Sequence, residues 1–179
     1  GRRFKSSRPD HNSLRRWKVL IRTELISIIG GAFADPAESE WAEKLGELLA
    51  ENGYTVVCGG GTGIMEAVCR GIAKKGGHSI GILPGTDPLE ANRWVETVLT
   101  TGMGNSRNRI IALSGKVVAA VGGKYGTLSE IAFALQAGKP VCAVGKWTGI
   151  EGVVPVQTPE EMLEFIIENT GGDSCLVSK

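Results

Sequence analysis

The stretch Lys116-Val117-Val118-Ala119-Ala120-Val121-Gly122-Gly123-Lys124-Tyr125-Gly126-Thr127-Leu128-Ser129-Glu130-Ile131-Ala132-Phe133-Ala134-Leu135-Gln136 decides the fold. Its first six residues are rich in valine, with no polar alternation after Lys116. That is the mark of a strand covered on both faces. The run passes directly into a glycine cluster. Leu128, Ile131, Ala132 and Leu135 then recur at helical spacing, and Gly138 follows as a stop. The segment predicts a strand over 116–121, a glycine turn and a helix over 127–136.

The same arrangement occurs twice upstream. Leu25 to Ile29 is apolar and ends in Gly30-Gly31, and a helix is expected over 36–52 from Trp41, Leu45, Leu48 and Leu49. Tyr54 to Cys58 runs into Gly59-Gly60-Gly61-Thr62-Gly63, with a helix over 64–75. Further strands are predicted at 79–83, 95–99, 140–144 and 153–156, a loop at 86–93 and a helix over 106–113. Thr158-Pro159-Glu160-Glu161 opens the last helix with an N-cap threonine, a proline at the first position and a glutamate completing a capping box. Strands and helices alternate, and the strands are apolar throughout. The expected fold is α/β, a Rossmann-like, doubly wound parallel sheet in a single domain over 25–170.

Composition agrees with one folded domain of this size. The chain has 179 residues, 42% of them hydrophobic and 22% charged, which excludes a disordered polymer. Glycine accounts for 26 residues, about twice the usual ~7% share. No Gly-X-Y period runs through the chain, so the excess belongs to local turns and not to collagen. The net charge is +1, but between Gly1 and Glu24 eight basic side chains face only Asp10 and Glu24. That leaves +6 in this segment and −5 in the remainder. Residues 1–24 read as a flexible or appended basic arm, and residues 171–179 as a tail. A nucleic-acid partner is not expected. No apolar run is long enough to span a membrane. Cys58, Cys69 and Cys142 fall in apolar patterns and Cys175 in the tail. With no Cys-x-x-Cys pair and only His11 and His78, no metal site is expected, and free buried thiols in a cytoplasmic protein are.

The glycine clusters carry the chemistry. In doubly wound sheets ligands bind beyond the carboxyl ends of the strands. There a helix N-terminus offers free N–H groups and partial positive charge to an anion. The expected phosphate contacts are Gly30, Gly31, Gly60, Gly61, Thr62, Gly63, Gly122, Gly123, Lys124, Gly126 and Thr127. Walker A is excluded because Gly-Lys-Ser/Thr never occurs, and Gly-x-Gly-x-x-Gly fails at Ile64. Thr127-Leu128-Ser129-Glu130 fits a capping box; equally, Glu130 can serve as an acid, a base or a ribose ligand one turn inside the helix. Arg107 is suited to bidentate phosphate contact. Arg109, two residues on, cannot share its face.

Gly123-Lys124-Tyr125-Gly126-Thr127-Leu128-Ser129-Glu130 resembles the Pro-Gly-Gly-x-Gly-Thr-x-x-Glu motif of the Lonely Guy (LOG) family, often misnamed lysine decarboxylases. Arg107-Asn108 resembles that family's Arg-Lys pair. Gly59-Gly60-Gly61-Thr62-Gly63-Ile64-Met65 resembles its Gly-Gly-Gly…Gly-Leu-Met turn, and Gly81-Ile82-Leu83-Pro84 its Gly-Val-x-Pro. Gly122 replaces the motif proline, Lys124 its second glycine and Asn108 the lysine. This pattern resembles the related branch that includes molybdenum-cofactor carrier proteins. The resemblance implies one of two activities. A carrier binds a phosphorylated pterin or nucleotide-like ligand without turnover, with molybdopterin as a candidate and no cofactor required. A LOG enzyme is a phosphoribohydrolase that splits a nucleoside 5′-monophosphate into free base and ribose 5-phosphate. By position, Glu130 and Arg107 match the catalytic pair of LOG, while Gly123, Gly126 and Thr127 match its phosphate loop. Lys124 either grips a further phosphate or crowds the sugar. The resemblance also implies a homodimer or homotetramer. Amino-acid decarboxylation is not expected.

Overall fold

The computed structural model describes residues 24–171; the rest of the basic arm, 1–23, and of the tail, 172–179 with Cys175, lie outside the described residues. Seven strands form one sheet: β1 Leu25–Gly30, β2 Thr55–Cys58, β3 His78–Leu83, β4 Thr97–Thr100, β5 Val117–Val121, β6 Val141–Val144 and β7 Val153–Pro155. Their order is β4-β3-β2-β1-β5-β6-β7, and every pairing is parallel. Five helices cover it: α1 Pro36–Glu51, α2 Ile64–Lys74, α3 Asn108–Ser114, α4 Tyr125–Gln136 and α5 Pro159–Thr170. No described helix is long and apolar enough to cross a membrane.

The pleat divides the core in two. Ile26, Ile28, Val56, Cys58, Val117 and Ala119 face one side, against Leu45 and Leu49 of α1, Ile64 and Val68 of α2, and Met162 and Ile166 of α5. Ile29, Val57, Val118, Ala120 and Ala143 face the other, against Ile111 of α3 and Ile131 and Ala134 of α4. Consecutive strand residues point oppositely, so a strand buried on both faces is apolar at nearly every position; the exception in β1, Ser27, donates to Ile111 O at 2.6 Å and accepts from Gly115 N–H at 2.8 Å. Each fully buried aliphatic side chain contributes about 1.5–3 kcal/mol.

Helices α1 and α2 approach closely because each carries a glycine at the crossing. A Cβ on Gly71 would lie 2.0 Å from the Glu43 carbonyl oxygen, and one on Gly46 2.3 Å from that of Val68. Across this contact Glu43 accepts from Arg70 at 2.6 Å and pairs with Lys74. Those partners hold its carboxyl below the usual carboxylate range. Cys58, Cys69 and Cys142 are free and buried, as expected from their apolar surroundings. Burial pushes the Cys142 thiol up to about 12.

Three boundaries differ from the sequence expectation. Strand β4 begins at Thr97, later than Val95, because Trp94 and Val95 pack against the core instead. The stretch expected as one helix over 106–113 is a 3₁₀ turn, Gly104–Arg107, followed by α3 from Asn108. Helix α4 begins at Tyr125, two residues early. Thr127 therefore sits inside the first turn, and the Thr127–Glu130 capping box does not form. The box at α5 is half made: Glu161 N–H donates to Thr158 Oγ1 at 3.1 Å, but the Glu161 carboxylate accepts from Gln157 and not from Thr158. A complete capping box occurs at α1 between Asp35 and Glu38.

Candidate functional site

Chain order reverses between β1 and β5: β2, β3 and β4 extend to one side of β1, and β5, β6 and β7 to the other. The helices after β1 and β5 lie on opposite faces there, so a crevice opens above the two strand ends. A cavity of about 380 Å³ occupies it. Its walls come from the end of β1 (Gly30, Gly31, Phe33), the turn after β5 (Gly123, Lys124), the start of α4 (Gly126, Thr127, Glu130) and the 3₁₀–α3 junction (Asn105, Arg107, Asn108). Ile29, Ala32, Gly59, Met65 and Lys146 complete them.

The turn after β5 is pressed to its minimum. Gly123 has φ +88°, and a Cβ there would fall 2.0 Å from Thr127 Oγ1 and 3.2 Å from the Gly30 carbonyl carbon. Only glycine lets the β1 and β5 turns approach this closely while leaving backbone to face the cavity. The α4 N-terminus has no side-chain cap: Lys124 stands at the N-cap position with φ −125° and ψ −150°. The first-turn N–H groups of this helix are free to meet a ligand.

Arg107 and Glu130 form the interior of the site. Arg107 Nη1 lies 3.7 Å from Glu130 Oε1, and the side chains are 13% and 8% exposed. Arg107 Nη1 donates to Asn108 Oδ1, and the guanidinium lies so close over Gly59 that a Cβ there would be 2.7 Å from Nη2. Its Nε is buried without a hydrogen-bond partner among the described residues. Burial lowers its pKa, and Glu130 opposes that shift. Burial likewise raises the Glu130 carboxyl, only partly offset by Arg107, to about 7. Asn108 is itself buried, and its Nδ2 donates to Gly126 O at 3.4 Å and Ser129 Oγ at 3.2 Å. It ties Arg107 to the first turn of α4. Arg107, Lys124 and Lys146 outnumber the single Glu130 carboxyl and leave the cavity cationic, which suits an anionic ligand. Arg109 points away and stacks over the Phe133 ring at 5.4 Å, as the two-residue spacing requires.

Not every expected contact reaches this cavity. Gly60, Gly61, Thr62 and Gly63 stand beside it. Thr62 Oγ1 donates to Ala32 O at 2.8 Å, Ile64 N–H donates to Gly31 O at 3.0 Å, and Asn92 Nδ2 donates to the Gly60 and Gly61 carbonyls. This turn follows β2, on the far side of β1 from β5, and it holds the β1 loop in place. Gly122 faces a neighbouring cavity, and its carbonyl accepts from Trp147 Nε1 at 2.6 Å. Sequence reading overlooked Lys146 and Asn105. Lys146 had a signal: Val144-Gly145-Lys146 is a fourth strand end running into glycine.

A doubly wound parallel domain with a cationic, glycine-walled cavity at its switch point is the class that these features define. The chain belongs to the SLOG cluster4 family, whose model matches residues 23–172. A protein of Archaeoglobus fulgidus is 39% identical over 145 residues, covering 81% of this chain and 95% of that protein. A probable cytokinin riboside 5′-monophosphate phosphoribohydrolase of Oryza sativa subsp. japonica is 36% identical over 93 residues, 50% of this chain and 38% of that enzyme. Among solved structures, the molybdenum cofactor binding protein of Rippkaea orientalis superposes with a TM-score of 0.78 at 34% identity, covering 83% of this chain and 98% of that one. The molybdenum cofactor carrier protein of Chlamydomonas reinhardtii superposes with a TM-score of 0.76 at 30% identity, covering 83% and 99%.

Proposed function

We propose that this protein binds a phosphorylated pterin or nucleotide-like ligand, as a carrier of the molybdenum-cofactor type. The observation that carries this reading is the uncapped N-terminus of α4 in the cavity that Arg107 lines. A phosphate at the Gly123–Thr127 turn would supply acceptors to the first-turn N–H groups and a counter-charge to the guanidinium. The residues present also suit molybdopterin as cargo: the Gly123 turn brings backbone to the cavity wall, and Arg107, Lys124 and Lys146 supply positive charge. The similarity to the molybdenum cofactor binding protein of Rippkaea orientalis supports the same reading. Titration calorimetry with molybdopterin, AMP and inorganic phosphate tests it. Binding of molybdopterin that phosphate competes away is expected; no binding of any of the three discards the reading.

A second reading rests on Glu130. Its carboxyl is buried beside Arg107 and held at about 7, a value suited to proton transfer at neutral pH. The similarity to the rice phosphoribohydrolase supports cleavage of a nucleoside 5′-monophosphate. In that reaction Glu130 would manage the attacking water or stabilise the cationic sugar, and Arg107 would orient the substrate. Incubation with AMP and a cytokinin nucleotide, followed by assay for free base, tests it. Release that disappears in Glu130→Ala supports the enzyme; absence of release, or release that survives the substitution, removes it.

A further inference from the structure

A second cavity, of about 490 Å³, adjoins the first across the ridge of Gly122 and Gly123 and shares Gly123 and Lys146 with it. Its floor is apolar, from Val121 and Val144 at the ends of β5 and β6, and its far wall is Ala37, Glu38 and Trp41 from the first turns of α1. The two spaces together fall within the ~300–1,000 Å³ typical of small-molecule sites. Trp41 is held in place, because its Nε1 donates to Gln157 O at 3.3 Å. Glu38 Oε2 accepts from Asp35 N–H at 3.1 Å, which fixes the carboxylate. Its Oε1 points at the ridge, 3.2 Å from where a Gly122 Cβ would stand, and has no hydrogen-bond partner among the described residues. Lys146 rests over the Trp147 ring at 4.7 Å, and Trp147 donates to Gly122 O.

We propose that this second cavity holds the ring of the ligand and selects rings with a 2-amino-4-oxopyrimidine edge, as in guanine or a pterin, through the Glu38 carboxylate. The inference rests on the phosphate reading of the first cavity. A carboxylate is acceptor-only with about four lone-pair sites. With one taken by Asp35 N–H, it still accepts two parallel N–H bonds. A 2-amino-4-oxo ring offers two adjacent donors, the ring N–H and the exocyclic amino group. A 6-aminopurine presents a single amino donor beside a ring acceptor, and that acceptor would face the carboxylate unfavourably. Trp41 and the valine floor supply apolar and stacking surface for the ring. Lys146, at the junction, lies between the ring and the phosphate.

The test compares GMP with AMP, which share sugar and phosphate, by calorimetry on the wild-type chain, Glu38→Gln and Ala37→Phe. Glu38→Gln keeps a side chain able to complete the Asp35 cap, and Ala37 is an exposed first-turn residue. GMP is expected to bind at least tenfold more tightly than AMP. Glu38→Gln should weaken GMP by about tenfold to a hundredfold, the worth of hydrogen bonds to a charged group, should not weaken AMP, and should leave inorganic phosphate unchanged. Ala37→Phe should weaken both nucleotides without altering phosphate binding. Equal affinity for GMP and AMP, or equal weakening of both in Glu38→Gln, overturns the ring assignment and leaves the phosphate reading standing. Nucleotide binding that inorganic phosphate does not compete with overturns the phosphate reading, and the ring assignment with it.

Discussion

Arg107 Nη1 and Glu130 Oε1 face each other at 3.7 Å in the wall of the cavity, both side chains nearly buried. The distance exceeds a hydrogen bond, so the pair is held by charge alone while Asn108 takes the direct contact with the guanidinium. Neither group is satisfied by the other. Glu130 is left a weak acid, and Arg107 a cation with an unused donor. A buried pair arranged in this way costs stability, which is the pattern of a site shaped for a ligand.

Glu130→Gln should stabilise the unliganded protein, and by more at higher pH. In the unfolded chain the carboxyl ionises near its ordinary value of 4.5, and in the folded chain near 7. Between those values the folded state holds the additional proton. The Glu130 protein is therefore at full stability below pH ~4.5 and loses stability as pH rises to ~7. The amide does not titrate. The two proteins should unfold alike in denaturant at pH 4.5 and differ by on the order of 3 kcal/mol at pH 8. A difference that does not change with pH would show that Glu130 is not held protonated.

Arg107→Gln should abolish the charge while keeping a polar side chain, and should weaken inorganic phosphate and AMP about tenfold to a hundredfold by calorimetry. Arg107→Lys should recover only part of the loss, because a lysine retains the charge and not the planar fork. Unchanged phosphate affinity in Arg107→Gln would place the anion elsewhere.

Gly123→Ala combines a positive φ with a Cβ that has no room beside Thr127. The left-handed backbone alone costs roughly 1–2 kcal/mol, and relief of the clash must push the β1 and β5 turns apart. A lower Tm together with loss of phosphate binding is expected. A variant that binds normally would show that the turn does not cradle the ligand.

Lys124→Gly separates the two roles open to Lys124. Lys124 lines the cavity at the head of α4. If it grips phosphate, the variant should bind AMP several-fold more weakly, with a shallower dependence on salt. Tighter binding would mean that the lysine crowds the sugar.

Gly71→Ala tests the close crossing of α1 and α2. Helix propensity alone favours alanine by about 1 kcal/mol. The Cβ would meet the Glu43 carbonyl at 2.0 Å, a backbone atom that moves only if the helices separate. A net loss of stability, read as a lower Tm with ligand binding retained, is expected.

Much of the architecture is legible in the sequence. Apolar strands such as Val117–Val121 and Ile26–Ile29 could only be strands covered on both faces, and alternation with amphipathic helices required parallel crossover connections. Glycine at each strand end marked the edge where a ligand would meet backbone. Helix α4 starts two residues before its sequence signal, because Tyr125 and Gly126 look like turn residues and an exposed tyrosine carries no helical signal. That earlier start removes the capping role that Thr-x-x-Glu suggests for Glu130.

The sequence by itself determined the parallel fold, the edge that carries the glycine turns, and the Arg107, Thr127 and Glu130 that stand there, because periodicity and backbone chemistry are local. Only the tertiary structure decided which turns face one another. The reversal of strand order between β1 and β5 brings the Gly30 and Gly123 turns over a common cavity and leaves Gly60 to Gly63 supporting the β1 loop. It also sets Lys146 and the first turns of α1 beside the same ridge. Those neighbours are distant in the chain, and their meeting follows from which face of the sheet each helix covers, a choice made by packing of the whole core.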